Sequence, residues 1–118
     1  MLRVEIADNP RALEKGLMFR KELEEDAGML FKFQSPQVMN FWGLNTYIPL
    51  DIAFVDLDDN IVKISRIAPL DLSAVSSEER CVIAIEANEG FFKENNISVG
   101  HRIRVDDEGE SSVVVFEE

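Results

Sequence analysis

The stretch that decides the fold is LDIAFVDLDDNIVKISRIA, residues 50–68. Residues 50–57 are apolar on both faces of an extended chain, and residues 61–68 return to a largely apolar pattern. Between them, residues 58–60 are Asp, Asp and Asn, which are typical of a tight turn. The stretch therefore predicts a β-hairpin with a first strand that is buried on both sides.

Short strands recur on both sides of this hairpin. Alternation places Leu2, Val4 and Ile6 on one face of a first strand. The same periodicity predicts further strands over residues 28–33, 38–42, 80–87, 101–106 and 111–116. Pro36 is predicted to separate two of these strands, and Gly109 is predicted to supply the last turn.

Only two segments favour a helix, and both are short. Asp8 offers an N-cap for a helix with Pro10 in its first turn and Gly16 at its end. Asn88 offers an N-cap for a second helix over residues 89–95. This pattern predicts an all-β domain, jelly-roll or sandwich/barrel-like, of about seven strands with two short helices. Without linkers or repeats, residues 1–118 are predicted to form a single domain.

The composition excludes several classes of function. The 118 residues include 12 Lys and Arg against 23 Asp and Glu, which gives a net charge of −11. Such a surface repels phosphate backbones and anionic lipids, so we expect no nucleic-acid partner and no membrane insertion. The N-terminus lacks the basic and apolar segments of a signal peptide, which favours the cytoplasm. Export is expected only if a signal peptide was trimmed.

Two carboxylates interrupt apolar strands and are the first candidates for a site. Strand alternation aligns Asp51 with apolar neighbours, so a buried Asp51 must accept hydrogen bonds or pair with a cation such as Arg20. Asp51 could be a structural latch or a ligand or catalytic group. Glu86 closes a strand and could reach solvent or a helix N-terminus, or work with Asp51 in acid–base chemistry.

Aromatic and amide residues surround the turn before Asp51. Trp42 and Tyr47 are the sole tryptophan and the sole tyrosine, and they bracket Asn45 and Thr46, which suit a turn. Trp42 is predicted to be a core residue, with the floor of a pocket as the alternative. The candidate ligand-binding residues are Arg20, Trp42, Asn45, Thr46, Asp51 and Glu86.

Conventional catalytic signatures are missing from the sequence. Cys81 is the only cysteine and His101 the only histidine, so no disulfide forms within the chain and a Cys–His dyad is disfavoured. A zinc site requires three or four nitrogen or sulfur ligands, and this sequence offers only two candidates, Cys81 and His101. We therefore expect no metal and no cofactor.

Five motifs together resemble the domain of unknown function 192 family. They are GLMFR at 16–20, GMLF at 28–31, FWGLNTYIPLD at 41–51, AIE at 84–86 and VGHRI at 99–103. The resemblance implies a small all-β domain of bacteria and archaea, jelly-roll or sandwich-like, often behind a secretory signal, with no established activity. The family pattern usually reads FWMKNT where this chain has Gly43 and Leu44, and VGD where it has His101.

Three hypotheses for function follow, in order of preference. The first is a non-catalytic module that binds a small polar ligand, such as a carbohydrate, at the six candidate ligand-binding residues. The second is an adaptor that binds a protein partner through an apolar patch around Phe91 and Phe92. The third is a small hydrolase or lyase using Asp51 and Glu86, with Arg20 stabilising an anion. The chain is expected to be a monomer or a weak homo-oligomer.

Overall fold

One curled β-sheet carries the fold in the computed structural model, which describes residues 1–108 and 111–118. Its elements are β1 (Leu2–Ala7), α1 (Pro10–Lys15), β2 (Ala27–Phe41), β3 (Leu50–Val55), β4 (Ile61–Ile67), β5 (Val75–Asn88), α2 (Phe91–Glu94), β6 (Arg102–Glu108) and β7 (Ser111–Glu117). The strand order is β4-β3-β5-β2-β1-β7-β6. Strands β1 and β2 run parallel and are connected through α1, whereas the other neighbouring pairs are antiparallel.

The predicted hairpin is confirmed. Strands β3 and β4 pair from Leu50 opposite Ile67 to Val55 opposite Ile61. The turn is held by Asp56, whose Oδ1 accepts hydrogen bonds from the backbone N–H groups of Asp58 and Asn60, both at 2.9 Å. An aspartate that binds the backbone two and four residues ahead stabilises a tight turn at little conformational cost.

Two predicted strand boundaries are wrong, and both involve one pair of long strands. Pro36 does not separate two strands, because β2 continues through it with a register shift against β5 between Lys32 and Gln37. A proline lacks the N–H that a regular ladder needs, so it is tolerated at such an irregularity. Strand β5 begins at Val75 rather than near residue 80, because Val75 pairs with Phe41 at the far end of β2.

Both helix caps also differ from the prediction. Asn9, not Asp8, caps α1, and its side chain accepts a hydrogen bond from the N–H of Ala12. Gly90, not Asn88, precedes α2, while the Asn88 side-chain amide donates to the carbonyl oxygens of residues 23 and 24. The one-residue shift of the α1 cap lies beyond the resolution of sequence patterns, because the neighbouring Asp8 and Asn9 can both cap.

Apolar side chains cover both faces of the sheet. The α2-side core contains Leu30, Ala53, Ile85, Ala87, Phe91 and Phe92 among its members. The α1-side core contains Leu17, Met29, Phe31, Ile52, Phe54 and Ala84 among its members. Phe91 and Phe92 are 5% and 1% exposed, so the apolar surface patch predicted around them is wrong. Their rings are buried because both belong to the α2-side core and pack against the ring of Phe116 on β7.

The mainly-β prediction, with seven strands and two short helices, is confirmed. The strands form a half-barrel from one sheet, which corresponds to the barrel-like version of the prediction, and nothing confirms a jelly roll. The turn predicted at Gly109 lies outside the described residues. Among the described residues, no helix is both long enough and apolar enough to cross a membrane.

Candidate functional site

An open cavity of about 350 Å³ lies on the α1 side of the sheet. It is bounded by α1 and the segment after it, by strand β2, and by the turn that follows β2. The lining residues include Leu13, Glu14, Lys15, Leu17, Met18, Phe31, Phe33, Asn40, Phe41, Trp42, Leu44, Thr46 and Glu86. Its size is that of a site for a compact small molecule.

Glu86 lies at the base of this cavity in the middle of the sheet. It pairs with Met29 of β2 and Ile52 of β3, both members of the α1-side core, so its side chain points to that face. The residue is only 5% exposed. The sequence favoured a Glu86 at a strand end that reaches solvent or a helix N-terminus, but β5 continues past it and strands pair with it on both sides.

The Glu86 carboxyl group has no hydrogen-bond partner among the described residues. Every fully buried polar side-chain atom in that part of the chain does have a partner, so the Glu86 oxygens are not fully buried. Its oxygens therefore reach the cavity. Burial disfavours the charged form and raises the pKa of Glu86 to about 8. At neutral pH the base of the cavity carries a carboxylic acid that still holds its proton.

Aromatic side chains form much of the wall above Glu86. The rings of Phe31 and Phe41 meet edge to face, with centroids 5.0 Å apart. Trp42 stands at the opening and is 48% exposed, so its predicted core position is wrong. The turn after it is tied to the loop between β4 and β5, because the Gly43 N–H donates to the Asp71 carbonyl oxygen at 2.6 Å. The interpretation of Trp42 as part of a pocket agrees with this geometry.

Asp51 faces the other side of the sheet. It pairs with Ala87, a member of the α2-side core, and its Oδ2 accepts a hydrogen bond from the N–H of Gly90 at 2.9 Å. The carboxylate thereby ties β3 to the start of α2, as a structural latch would. Asp51 and Glu86 cannot reach one bound molecule, so the structure does not bring the predicted acid–base pair together.

Removing the Asp51 carboxylate should loosen α2. We expect Asp51→Ala to lower the free energy of unfolding by about 1–2 kcal/mol, because the Gly90 N–H loses its acceptor. Asp51→Asn keeps an oxygen at the same place and should cost less than half as much. Urea denaturation of both variants measures the difference. Equal losses for the two substitutions would contradict the latch.

Arg20 pairs with Glu5 rather than with Asp51. Its Nη2 donates to Glu5 Oε1 at 2.7 Å, and its Nη1 contacts Glu5 Oε2, which makes the pair bidentate. The hydrogen bond from Arg20 lowers the pKa of Glu5. The pair borders a larger depression of about 660 Å³, in which Arg3 also pairs with Glu24 and Asp26. Because these charges satisfy one another, that depression offers a ligand little.

The remaining predicted site residues divide between cavity and scaffold. Thr46 lines the cavity and is 6% exposed, but its hydroxyl donates to the Leu44 carbonyl oxygen at 3.1 Å. Asn45 adopts a positive φ of 52°, and its carbonyl oxygen accepts from the Phe19 N–H at 2.7 Å. Of the six predicted ligand-binding residues, the structure brings Trp42, Thr46 and Glu86 together.

The two potential nucleophilic or metal-binding side chains stand apart from the cavity. Cys81 is buried, and burial raises the pKa of its thiol to about 11. The Nδ1 atom of His101 accepts a hydrogen bond from the Ser98 N–H at 3.0 Å. In residues 1–108 and 111–118, no three His, Cys, Asp or Glu side chains gather as a metal site would need.

Comparison with known proteins identifies the family. The family DUF192, described as "Uncharacterized ACR, COG1430", matches residues 1–105. The chain belongs to the DUF192 family. A solved structure from Sinorhizobium meliloti 1021, described as a "putative transcription regulator", is 36% identical, with a TM-score of 0.83 over 86% of this chain and 79% of that chain. A protein of unknown function from Novosphingobium aromaticivorans DSM 12444 is 35% identical, with a TM-score of 0.83 over 86% of this chain and 73% of that chain. No curated protein matches the chain.

In the aromatic segment this chain departs from the usual DUF192 pattern at Gly43 and Leu44. Both positions lie beside the cavity. A Cβ atom at Gly43 would lie far inside 3.0 Å of the Ala68 carbonyl oxygen, so residues 68–71 can pack here only against glycine. Leu44, which stands where the DUF192 pattern has lysine, lines the cavity and makes its wall apolar.

Most of the apolar lining of this DUF192 cavity was not predicted as a site. Phe31 was noted as part of the GMLF motif at 28–31 and not as a site residue, and neither Leu13 nor Phe33 was singled out. These side chains come from α1, the segment after it and the two halves of β2, so no local spacing relates them. The one available signal was Glu86 itself, a carboxylate inside an apolar strand.

Proposed function

We propose that this DUF192 chain is a small-molecule binding module, with its site in the cavity over Glu86. One observation carries the proposal: a carboxyl group that is 5% exposed has no partner among the described residues and opens into a cavity of ligand size. A buried polar group without a partner costs stability. A site that retains such a group has an unused hydrogen-bonding capacity that a ligand can satisfy.

The lining indicates the class of ligand. Aromatic and aliphatic side chains supply most of the wall, while Glu14, Lys15 and Asn40 are the polar groups nearer to its rim. Such a site suits a compact molecule with an apolar body and one polar group directed at Glu86. A carbohydrate, the first expectation from the sequence, needs more hydrogen-bonding groups than this wall offers.

Three probes that share one aromatic ring test the proposal: benzyl alcohol, benzoate and benzyltrimethylammonium. We expect at least one to bind with a roughly millimolar dissociation constant, as is usual for compounds of this size. Amide NMR should show saturable shifts at Gly16, Leu17 and Thr46, and the fluorescence of Trp42 should change with the same midpoint. If none of the three probes shifts these residues, the proposal fails.

A pair of variants on α1 controls for binding elsewhere. Leu13 lines the cavity, whereas Arg11 lies on the same helix outside it. Leu13→Trp should fill the cavity and weaken probe binding at least tenfold, and Arg11→Trp should leave binding unchanged. Equal effects of the two variants, measured by NMR, would place the bound probe outside the cavity.

A protein partner is the second candidate function, because apolar side chains gather on the loops beside the cavity. Phe19, Tyr47 and Leu70 are 59%, 46% and 58% exposed. Backbone hydrogen bonds from Phe19 to Asn45 and from Leu70 to Thr46 hold two of these loops against the turn. Leu70 lies outside the cavity lining, so Leu70→Ser should weaken self-association seen by sedimentation without changing probe binding. If the protein sediments as a monomer at all concentrations, the idea that the partner is a second copy of this chain is contradicted.

An acid–base enzyme and a DNA-binding regulator receive less support from the geometry. A hydrolase or lyase that uses Asp51 and Glu86 together would need both carboxylates in one cleft, and they face opposite sides of the sheet. The regulatory description of the Sinorhizobium protein carries no DNA-binding role over to this chain, because a net charge of −11 repels phosphates.

A further inference from the structure

Apart from Glu86, the cavity lining offers little net charge. Besides Glu86, the charged residues in the described lining are Glu14 and Lys15, which are adjacent on α1 and offset each other. On β1, Glu5 lies in the same row of the sheet as Met29 and Glu86, about 10 Å from Glu86 by strand spacing, and it is paired with Arg20. The described residues that face Glu86 from the neighbouring strands and from the turn after β2 carry no charge.

The described lining therefore offers an anionic ligand one cation, Lys15 at the rim, and places a carboxyl group at the base of the cavity. The Thr46 hydroxyl proton is already donated to the Leu44 carbonyl oxygen. The wall includes four aromatic side chains, namely Phe31, Phe33, Phe41 and Trp42. Aromatic rings attract cations through their negative faces, and most strongly where water is excluded.

We infer that the ligand of this cavity is an organic cation with an apolar body, held by the aromatic wall with ionised Glu86 as its counter-ion. The inference rests on the proposed small-molecule site and specifies its ligand class. Binding then exchanges one cation for another: the ligand enters, and the proton of the Glu86 carboxyl group leaves to solvent. The raised pKa of Glu86 supports this exchange, because the acid keeps its proton in the empty site and gives it up only to a competing positive charge.

The affinity for a cationic ligand should rise with pH, whereas the affinity for a neutral or anionic ligand should not. A permanently charged ligand must displace the proton below pH 8, so its affinity should rise about tenfold per pH unit and level off above pH 8. A neutral or anionic ligand that accepts a hydrogen bond from the protonated acid should bind independently of pH below 8 and weaken above it. Glu14, Lys15 and the Glu5–Arg20 pair are also present in Glu86→Gln, so comparison with that variant isolates Glu86.

Benzyltrimethylammonium, whose charge does not change with pH, is the probe, and benzyl alcohol and benzoate are its neutral and anionic controls. Calorimetry and NMR titrations at pH 6, 7, 8 and 9 should show the cation binding tightest of the three at pH 8 and 9. Its affinity should rise roughly 50-fold from pH 6 to pH 8, because half of the Glu86 carboxyl groups are ionised at pH 8. Its binding heat at pH 7 should vary between buffers of different ionisation enthalpy, because a proton is released.

Glu86→Gln keeps the shape of the side chain and removes its charge. In this variant we expect the cation to lose at least tenfold in affinity at pH 8 and benzyl alcohol to lose little. Glu25→Gln, the same change at an exposed site, should alter neither affinity. The inference would be overturned if the affinity for the cation stayed flat or fell with pH in the unmodified protein, or if it survived in Glu86→Gln. In that case binding of benzyl alcohol would still support the proposed small-molecule site. If no probe binds at all, the site and the inference fall together.

Discussion

Replacing Glu86 by glutamine is expected to stabilise the protein by about 5 kcal/mol above pH 8 and to change its stability little near pH 5. In the folded protein burial raises the pKa of Glu86 from 4.5 to about 8. Between these two values the folded state holds a proton that the unfolded state has released. Stability therefore falls as pH rises, by about 1.4 kcal/mol per pH unit, and the loss is complete above the folded pKa.

The measurement is urea or thermal denaturation of the natural protein and Glu86→Gln at pH 5, 6, 7, 8 and 9. A difference of about 5 kcal/mol corresponds to a shift in Tm of roughly 20 °C for a domain of this size. The remaining titrating groups affect both proteins equally, so the difference between the two curves isolates Glu86. Glu25→Gln, at an exposed position, should follow the natural protein at every pH. Parallel curves for the natural protein and Glu86→Gln would show that Glu86 is not held as an acid.

Gly28→Ala is expected to lower the free energy of unfolding by about 3 kcal/mol. Gly28 lies on β2 opposite Ala87, where β2 and β5 approach closely. A Cβ atom there would lie far inside 3.0 Å of the Glu86 carbonyl oxygen and 3.0 Å from the side chain of Leu2. Backbone cannot rotate away as a side chain can, so β2 and β5 must separate to admit the methyl group.

Gly100→Ala is the matched control for this substitution. Gly100 has a φ of +99°, and a Cβ atom there would meet nothing within 4 Å. Its replacement therefore measures backbone strain without a clash, with an expected cost of about 1 kcal/mol. Denaturant titrations of both variants give the comparison. If Gly28→Ala cost no more than Gly100→Ala, β2 and β5 would have room to adjust, and the position of Glu86 at the base of the cavity would be less rigid than the structure shows.

The two predictions concern the same place in the molecule. Glu86 is kept at the base of the cavity by pairing on both sides, with Met29 on β2 and with Ile52 on β3. The stability that the protein loses by burying this acid is larger than the cost of most surface substitutions. Such a cost is typical of sites whose chemistry depends on the buried group.

What the sequence determined by itself is the local architecture. The hairpin of β3 and β4, the two short helices and the mainly-β class all follow from turn residues and hydrophobic periodicity, which act over a few residues. The same local signals identified Asp51 and Glu86 as carboxylates that needed an explanation.

Only the tertiary structure decided what those carboxylates do. Adjacent strands place Asp51 and Glu86 on opposite faces of the sheet, so one binds the backbone at the start of α2 and the other opens into a cavity. The Arg20–Glu5 pair and the aromatic wall join segments that are distant in sequence, and no periodicity encodes such a meeting. Burial of Glu86 is a property of the three strands and the loops that pack around it, which is why its retained proton could not be derived from the residues near it in the chain.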